Sequence, residues 1–531
     1  MMRTLRLGKV CAAAALVALA SGFMSMKDGA GAQDDAPEML DPSLQVRTVV
    51  SGLASPIGLA FIGANDMLVL EKDSGRVRRV VNGSITGTVL DLGVNNNSER
   101  GLLGIALHPD FPVNPGVYLY WTCRSTDAPA DDFFPDEQRC LDSNMFADDT
   151  NQVLEVPLLG NRVDRFIWEN GVLTFDHNLI MLRAFQNDGA PSPGGQGDET
   201  QPPRGNHNGG VIRFGPDGKL YVMIGDNGRR GQLQNLPNGP NGPGATTDDD
   251  DQFGGPEPDD AHLTGVILRL NDDGTTPSDN PFIAAGSIGG EVGANIQKIY
   301  AYGLRNGFGM AFDPLSGALW EQENGDDSFS ELNRVEPGFN SGWVQIMGPP
   351  DRIGQFKTIE TTVTPDPPDP NATTYFGLQQ LRWSPVNIAD TPEEGLARLF
   401  MLPGAHYSAP EFSWKFEVAP GGIGFVSGRG LGPQFEGDLF VAGARPFLED
   451  GHLFHFNLTG NRRAIATDDP RLEDRVADNL LKWEITESES LLIGRNFGVG
   501  TDLHTGPNGN LFIVSISKGA IFEIFGTPRG R

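Results

Sequence analysis

Residues Arg204 to Gly228 read R-G-N-H-N-G-G-V-I-R-F-G-P-D-G-K-L-Y-V-M-I-G-D-N-G. This is the pattern of a β-hairpin. Val211 to Phe214 forms a first short strand, Gly215-Pro216-Asp217-Gly218 a tight turn, and Leu220 to Ile224 a second strand. Proline presets the turn's backbone angle and glycine supplies a positive φ. The strands themselves are apolar and rich in β-branched and aromatic residues. His207 precedes the first strand and Asp226 follows the second. The outer ends of a hairpin lie side by side, so an imidazole and a carboxylate meet at one end of a sheet.

The same pattern of glycine, apolar strand, turn and second apolar strand recurs. It begins at Gly58, Gly104, Gly210, Gly309, Gly422 and Gly500. A hairpin alone cannot bury both faces, so neighbouring sheets must cover one another. The closed solution for small antiparallel sheets is a propeller. Six copies predict an all-β, six-bladed β-propeller with long inserted loops. A blade of four strands needs roughly 40–50 residues, and the copies are unequally spaced, so the excess falls in insertions near 123–151, 237–261 and 349–410. The second of these carries Asp248 to Asp251, and the third a short helix near Glu393 to Phe400. Long loops on one rim of a rigid scaffold shape a substrate entrance.

The chain of 531 residues has a net charge of −29, with 38% apolar residues. That is ample for a large core, and the acidic balance argues against nucleic acid or anionic membranes as partners. Basic residues Arg3, Arg6 and Lys9 precede an apolar run too short to span a bilayer, followed by Ala30-Gly31-Ala32. Residues 1–32 are read as a secretory signal, 33–45 as an acidic leader and 46–531 as the propeller, with no membrane span and a periplasmic or secreted location. Cys123 and Cys140 remain beyond the signal, and an oxidising compartment favours a disulfide closing a local loop.

His207 with Asp226 is the first chemical candidate: a carboxylate fixes the imidazole tautomer and raises its basicity. Arg305-Asn306, between glycines just before a strand copy, stands at the same end of its sheet. The run Glu321 to Asp327 offers carboxylates and backbone carbonyls suited to a hard cation such as Ca²⁺, although its spacing is not that of an EF-hand. There is no P-loop, no G-x-S-x-G elbow and no H-E-x-x-H. His452 and His455 lie on opposite faces of one strand and make poor metal partners.

Four stretches resemble the soluble, pyrroloquinoline-quinone-dependent sugar dehydrogenases, also called glucose/sorbosone dehydrogenases. They are E-R-G-L-L-G-I-A-L-H-P-D-F from Glu99, the His207 hairpin, V-I-L-R-L-N-D-D-G-T-T-P-S-D-N-P-F from Val266, and L-R-N-G-F-G-M-A-F-D-P from Leu304. The resemblance implies a six-bladed propeller that takes a hydride from a sugar or polyol hydroxyl and passes the electrons to an external acceptor. It implies pyrroloquinoline quinone and Ca²⁺ as cofactors. In that likeness His207 is the general base, Asp226 orients it, and Arg305 lies near the reactive quinone carbonyl. Glu99, Asn306 and Arg445 face the cofactor, and Gly325 and Asp326 hold the Ca²⁺. The chain departs from the pattern at Val499 and Thr501, where the glucose enzymes place arginines against the cofactor's carboxylates. Each lost charge-assisted hydrogen bond is worth about 1.5–3 kcal/mol; Arg495 and Arg445 are the candidates to compensate. Two other readings follow from the same residues. One is a glycan- or protein-binding propeller without cofactor, motivated by Val499 and Thr501. The other is a metal-dependent, lactonase-like hydrolase, which needs acidic ligands converging on the central channel.

Overall fold

The hairpin around His207 forms as its sequence dictates. Ile212–Phe214 pairs antiparallel with Leu220–Ile224, Ile212 opposite Val222 and Phe214 opposite Leu220. The turn closes through Gly218 N–H to Gly215 O at 2.9 Å, with Gly218 at φ +72°. This computed structural model describes residues 36–96, 99–123, 160–182, 207–227, 263–288, 290–343, 345–361, 388–443 and 451–527.

The other five copies fold in the same way. The first strands of all six are β1 (Pro56–Gly63), β2 (Leu102–Leu107), β3 (Ile212–Phe214), β4 (Gly309–Phe312), β5 (Pro420–Phe425) and β6 (Gly500–Thr505). Each belongs to a different hydrogen-bonded sheet. These six strands touch in a closed ring: β1 with β2, β2 with β3, and so on until β6 meets β1. The recurrent glycine has its reason here. A Cβ on Gly104 would lie 2.0 Å from the carbonyl oxygen of Gly210, so only glycine allows the neighbouring backbones to approach.

Alternation along the strands fills the space between sheets. Leu220, Val222 and Ile224 pack with Tyr118, Tyr120 and Val163 of the preceding sheet. Tyr221 and Met223, pointing the other way, pack with Met310, Leu319 and Val335 of the next. Both faces of the sheet are therefore buried, which is why its strands read as continuous apolar runs. Leu44–Ser51 completes the last sheet by pairing with Ala520–Gly526, Val46 opposite Ile524. Glu38–Met39, within the expected acidic leader, pairs with Leu492–Arg495.

The molecule is thus an all-β propeller, but five blades are recognised in it, not the expected six. A sheet and a regular blade are different units. Among the described residues, three of the six sheets have four strands; the others carry further two-residue strands, Glu38–Met39, Phe339–Asn340, His406–Tyr407 and Val476–Ala477 among them. Among its described residues the third insertion contributes two short α-helices, α1 (Ile353–Thr361) and α2 (Pro392–Arg398). Thr391 caps α2 by accepting the Glu394 N–H, at the place where a helix was expected. Cys123 is disulfide-bonded. Its expected partner Cys140, the signal, the insertion near 237–261 and Arg445 lie outside the described residues.

Candidate functional site

At the end of the sheets opposite the Gly215–Gly218 turn, His207 Nδ1 lies 2.6 Å from Asp226 Oδ1. Both side chains are buried. His207 has φ +57°, left-handed backbone that is uncommon outside glycine and is concentrated at functional sites. Several contacts hold it there. Its N–H donates to Glu99 Oε2 at 2.5 Å. The next residue, Asn208, is pinned by Tyr120 Oη on its carbonyl and by Asn161 Nδ2 on its side chain, each at 2.9 Å. Gly225 lets three strand ends converge, since a Cβ there would meet Arg305 O at 2.5 Å and His207 O at 2.6 Å.

Asp226 ties the base to the guanidinium. Its N–H donates to Arg305 O at 2.8 Å. Its Oδ2 accepts the Trp343 indole N–H at 2.9 Å, and the Arg305 guanidinium lies over the Trp343 ring, 5.4 Å from the centroid. Imidazole, carboxylate, indole and guanidinium thus form one continuous group from three separate parts of the chain. Burial alone would lower the Arg305 pKa, but the carboxylates of Asp326, Asp226, Glu360 and Glu417 raise it. Arg305 donates to the carbonyls of Asn324 and Gly325 at 2.8 and 2.9 Å and to Asp326 Oδ1 at 2.6 Å. Its N–H donates to Glu323 Oε1.

Beyond Arg305 the site turns acidic. Carboxylate oxygens of Asp326, Asp327 and Glu360 lie within 4.8 Å of one another. Glu360, from α1, accepts the N–H groups of Asp327 and Ser328 at 3.1 Å each and the Ser328 hydroxyl at 2.7 Å. Burial, with Asp327 and Asp326 adding repulsion, pushes its carboxyl far above the usual range. Lys482 donates to Asp327 Oδ1 at 2.7 Å and Asp326 O at 2.9 Å. Alongside, Glu321 and Glu331 share the Asn333 side-chain amide at 2.8 and 3.0 Å. Burial raises Glu321 to about 8 and Glu331 to about 7.

The structure therefore gathers His207, Asp226, Arg305, Gly325, Asp326 and Glu99 into one neighbourhood. Glu99 meets the backbone of the histidine through its carboxylate. Asn306 is there too, with its side-chain Oδ1 buried and without a hydrogen-bond partner among the described residues. Arg495, named above beside Val499 and Thr501, faces another partner. It pairs with Glu38 toward the outer edge of its sheet, while β5 of the same sheet lines the ring. Sequence reasoning missed Trp343, Glu360, Lys482 and Glu417. Trp343 and Lys482 had no motif around them, and Glu360 sat in what read as an insertion. The run Glu321 to Asp327 was the available signal for the acidic region.

A propeller that presents a carboxylate-held imidazole beside a buried guanidinium at one end of its sheets defines the class. The family model for glucose/sorbosone dehydrogenases matches residues 53–133 and 197–371, and along these stretches the chain is similar to that family. It is 26% identical over 457 residues to an uncharacterised Synechocystis protein, covering 82% of this chain and 81% of that one. It is 29% identical to quinoprotein glucose dehydrogenase B of Acinetobacter calcoaceticus over 58% of this chain, which spans 54% of that enzyme. The fold is shared with the PQQ-bound aldose sugar dehydrogenase of Streptomyces coelicolor, at 22% identity and a TM-score of 0.51, covering 93% of this chain and all of that one. No helix among the described residues is long and apolar enough to cross a membrane.

Proposed function

We propose that this protein is a quinoprotein dehydrogenase that oxidises a hydroxyl of a sugar or polyol. The observation that carries the reading is the His207–Asp226 contact at 2.6 Å, held beside the Arg305 guanidinium by Trp343. Because Nδ1 faces Asp226, Nε2 is the nitrogen that receives the hydroxyl proton. Asp226 fixes that tautomer and stabilises the imidazolium that results. Pyrroloquinoline quinone, when bound, supplies the acceptor for the hydride and its electron pair, which then pass to an external acceptor. Arg305 places positive charge where negative charge develops.

The residues fit these groups in part. An all-oxygen set from Asp326, Asp327 and Glu360 suits a hard cation such as Ca²⁺, and Glu360 Oε2 is buried without a hydrogen-bond partner among the described residues. Asn306 Oδ1 and Arg305 Nε are likewise buried and unpartnered, as a polar planar ligand requires. Arg305, Asn306 and Glu99 would hold the reactive end. Val499, buried and apolar, offers nothing to a carboxylate, and Arg445 is the remaining candidate for it. The signal-like start and the bonded Cys123 support a periplasmic or secreted location.

The test is to add quinone and Ca²⁺ to purified apo-protein and follow dye-linked oxidation across a panel of sugars and polyols. Tight binding with turnover is expected; absence of both rejects the reading. Quinone-independent, saturable glycan binding would favour the second reading, a binding propeller, which Val499 and Thr501 motivate.

A further inference from the structure

The acidic group at Asp326, Asp327 and Glu360 already contains a cation of the protein's own. Lys482 comes from a separate segment and directs its ammonium between Asp327 Oδ1 and the Asp326 carbonyl. Glu417 Oε2 stands at 4.0 Å and the Trp483 ring centroid at 5.1 Å. The ammonium is almost wholly enclosed. The oxygens it uses are the Asp326 carbonyl and a carboxylate oxygen of Asp327, so it sits on two of the three residues that form the cluster. A second observation points to a further ligand: Glu360 Oε2 is buried with no hydrogen-bond partner among the described residues.

We propose that Lys482 is a tethered occupant of the cation site formed by Asp326, Asp327 and Glu360, and that a divalent ion binds there by displacing its ammonium group. The inference rests on the reading above insofar as that reading places a hard cation at this end of the sheets. A Ca²⁺ ion takes six to eight oxygens at about 2.3–2.6 Å. An ammonium held on two of the same residues crowds the cation and repels it. Lysine suits a displaceable role, because it is a compact charge on a flexible four-carbon stem. The neighbouring Leu480 is 67% exposed, so the segment runs along the surface, where a released side chain reaches water. In the absence of metal the lysine balances the buried acids and keeps the Arg305 surroundings in place. Loading of the metal then becomes an exchange of cations, with an affinity that the lysine lowers.

The experiment uses the full chain, freed of metal with chelator, and Ca²⁺ alone without quinone. Calorimetry on the wild type, Lys482→Met and Glu360→Gln reads the affinity. Lys482→Met is expected to bind Ca²⁺ at least about tenfold more tightly than the wild type, because a like charge has left the site. Glu360→Gln is expected to bind more weakly. Should Lys482→Met fold poorly, the wild type alone decides: mass-spectrometric labelling with an amine reagent is expected to modify Lys482 faster once Ca²⁺ is added. Equal or weaker binding by Lys482→Met, or labelling that Ca²⁺ does not change, overturns the exchange. If Glu360→Gln still lowers affinity in that case, the cation site itself stands. No Ca²⁺ binding by either the wild type or Lys482→Met overturns both the exchange and the cation of the proposed function.

Discussion

Asp226 and Asp502 are both buried and each touches a histidine, and they are put to different uses. Asp226 meets His207 Nδ1 at 2.6 Å and accepts the neutral Trp343 indole N–H at 2.9 Å. Asp502, on β6, lies 3.1 Å from His504 Nε2, accepts the Leu59 N–H at 3.0 Å, and binds Arg213 at 2.6 Å. Leu59, Arg213 and Asp502 belong to β1, β3 and β6, so this carboxylate fastens three of the ring strands together. Burial alone would raise Asp502; His504 and Arg213, with the Leu59 N–H, bring it down to about 2. Its charge is matched by the arginine. An aspartate–histidine contact therefore does not by itself make a base. The difference lies in the neighbours: Asp502 pairs with Arg213 at 2.6 Å between ring strands, whereas Asp226 joins the imidazole to the Trp343 indole beside the Arg305 guanidinium.

The sharpest way to break this contrast is to remove each partner in turn. His207→Ala is expected to lower turnover by roughly 10²–10⁴-fold while leaving the unfolding transition near that of the wild type. Asp226→Asn, which leaves the imidazole in the wrong tautomer, is expected to come close to that loss, in steady-state assays of the reconstituted enzyme. Asp502→Asn should act on stability instead. Breaking a buried pair typically costs about 3–5 kcal/mol, readable by denaturant unfolding. A comparable activity loss in the Asp502 variant without destabilisation would erase the distinction.

Proton linkage sharpens it further. Asp502 is depressed in the fold, so its contribution is present above the ordinary carboxylate value of about 3.9 and fades as pH falls from there toward 2. Glu321 and Glu331 are raised, so their contribution is full below the ordinary glutamate value of about 4.3 and fades as pH rises through 7 to 8. Stability should therefore fall on both sides of a mildly acidic optimum. Asp502→Asn should flatten the acid limb and Glu331→Gln the other, in unfolding midpoints measured against pH. The smallest effect is expected from Trp343→Phe, which keeps the ring under Arg305 and deletes one hydrogen bond to a carboxylate. Losing about 1.5–3 kcal/mol corresponds to a drop of about 10- to 100-fold in kcat/KM.

Much of this architecture was legible in the residues. Glycine, alternation and turn chemistry located all six hairpins, because those signals act within a dozen residues. The His207–Asp226 contact was legible for the same reason: both ends of one hairpin lie together. The blade count was not, since two-residue strands such as Val476–Ala477 carry no periodicity and join their sheet only through distant partners. Lys482 and Glu360 were invisible on the same ground. They reach Asp327 across long stretches of chain, and only tertiary packing brings them there. The placement of Arg495 was illegible as well, because closeness in sequence to β6 says nothing about which edge of a sheet a side chain occupies.

The pairing of Leu44–Ser51 with Ala520–Gly526 governs the order of events in synthesis. A chain emerging from the ribosome holds an early strand whose mate has yet to be made. Its ring stays open, with apolar edges unpaired, until the region around Gly526 has been translated. If the chain is exported unfolded, closure is postponed to the far side of the membrane. An affinity tag or fusion inserted after Gly63 would trouble the finished molecule less than one that holds residues 44–51 away from their mate.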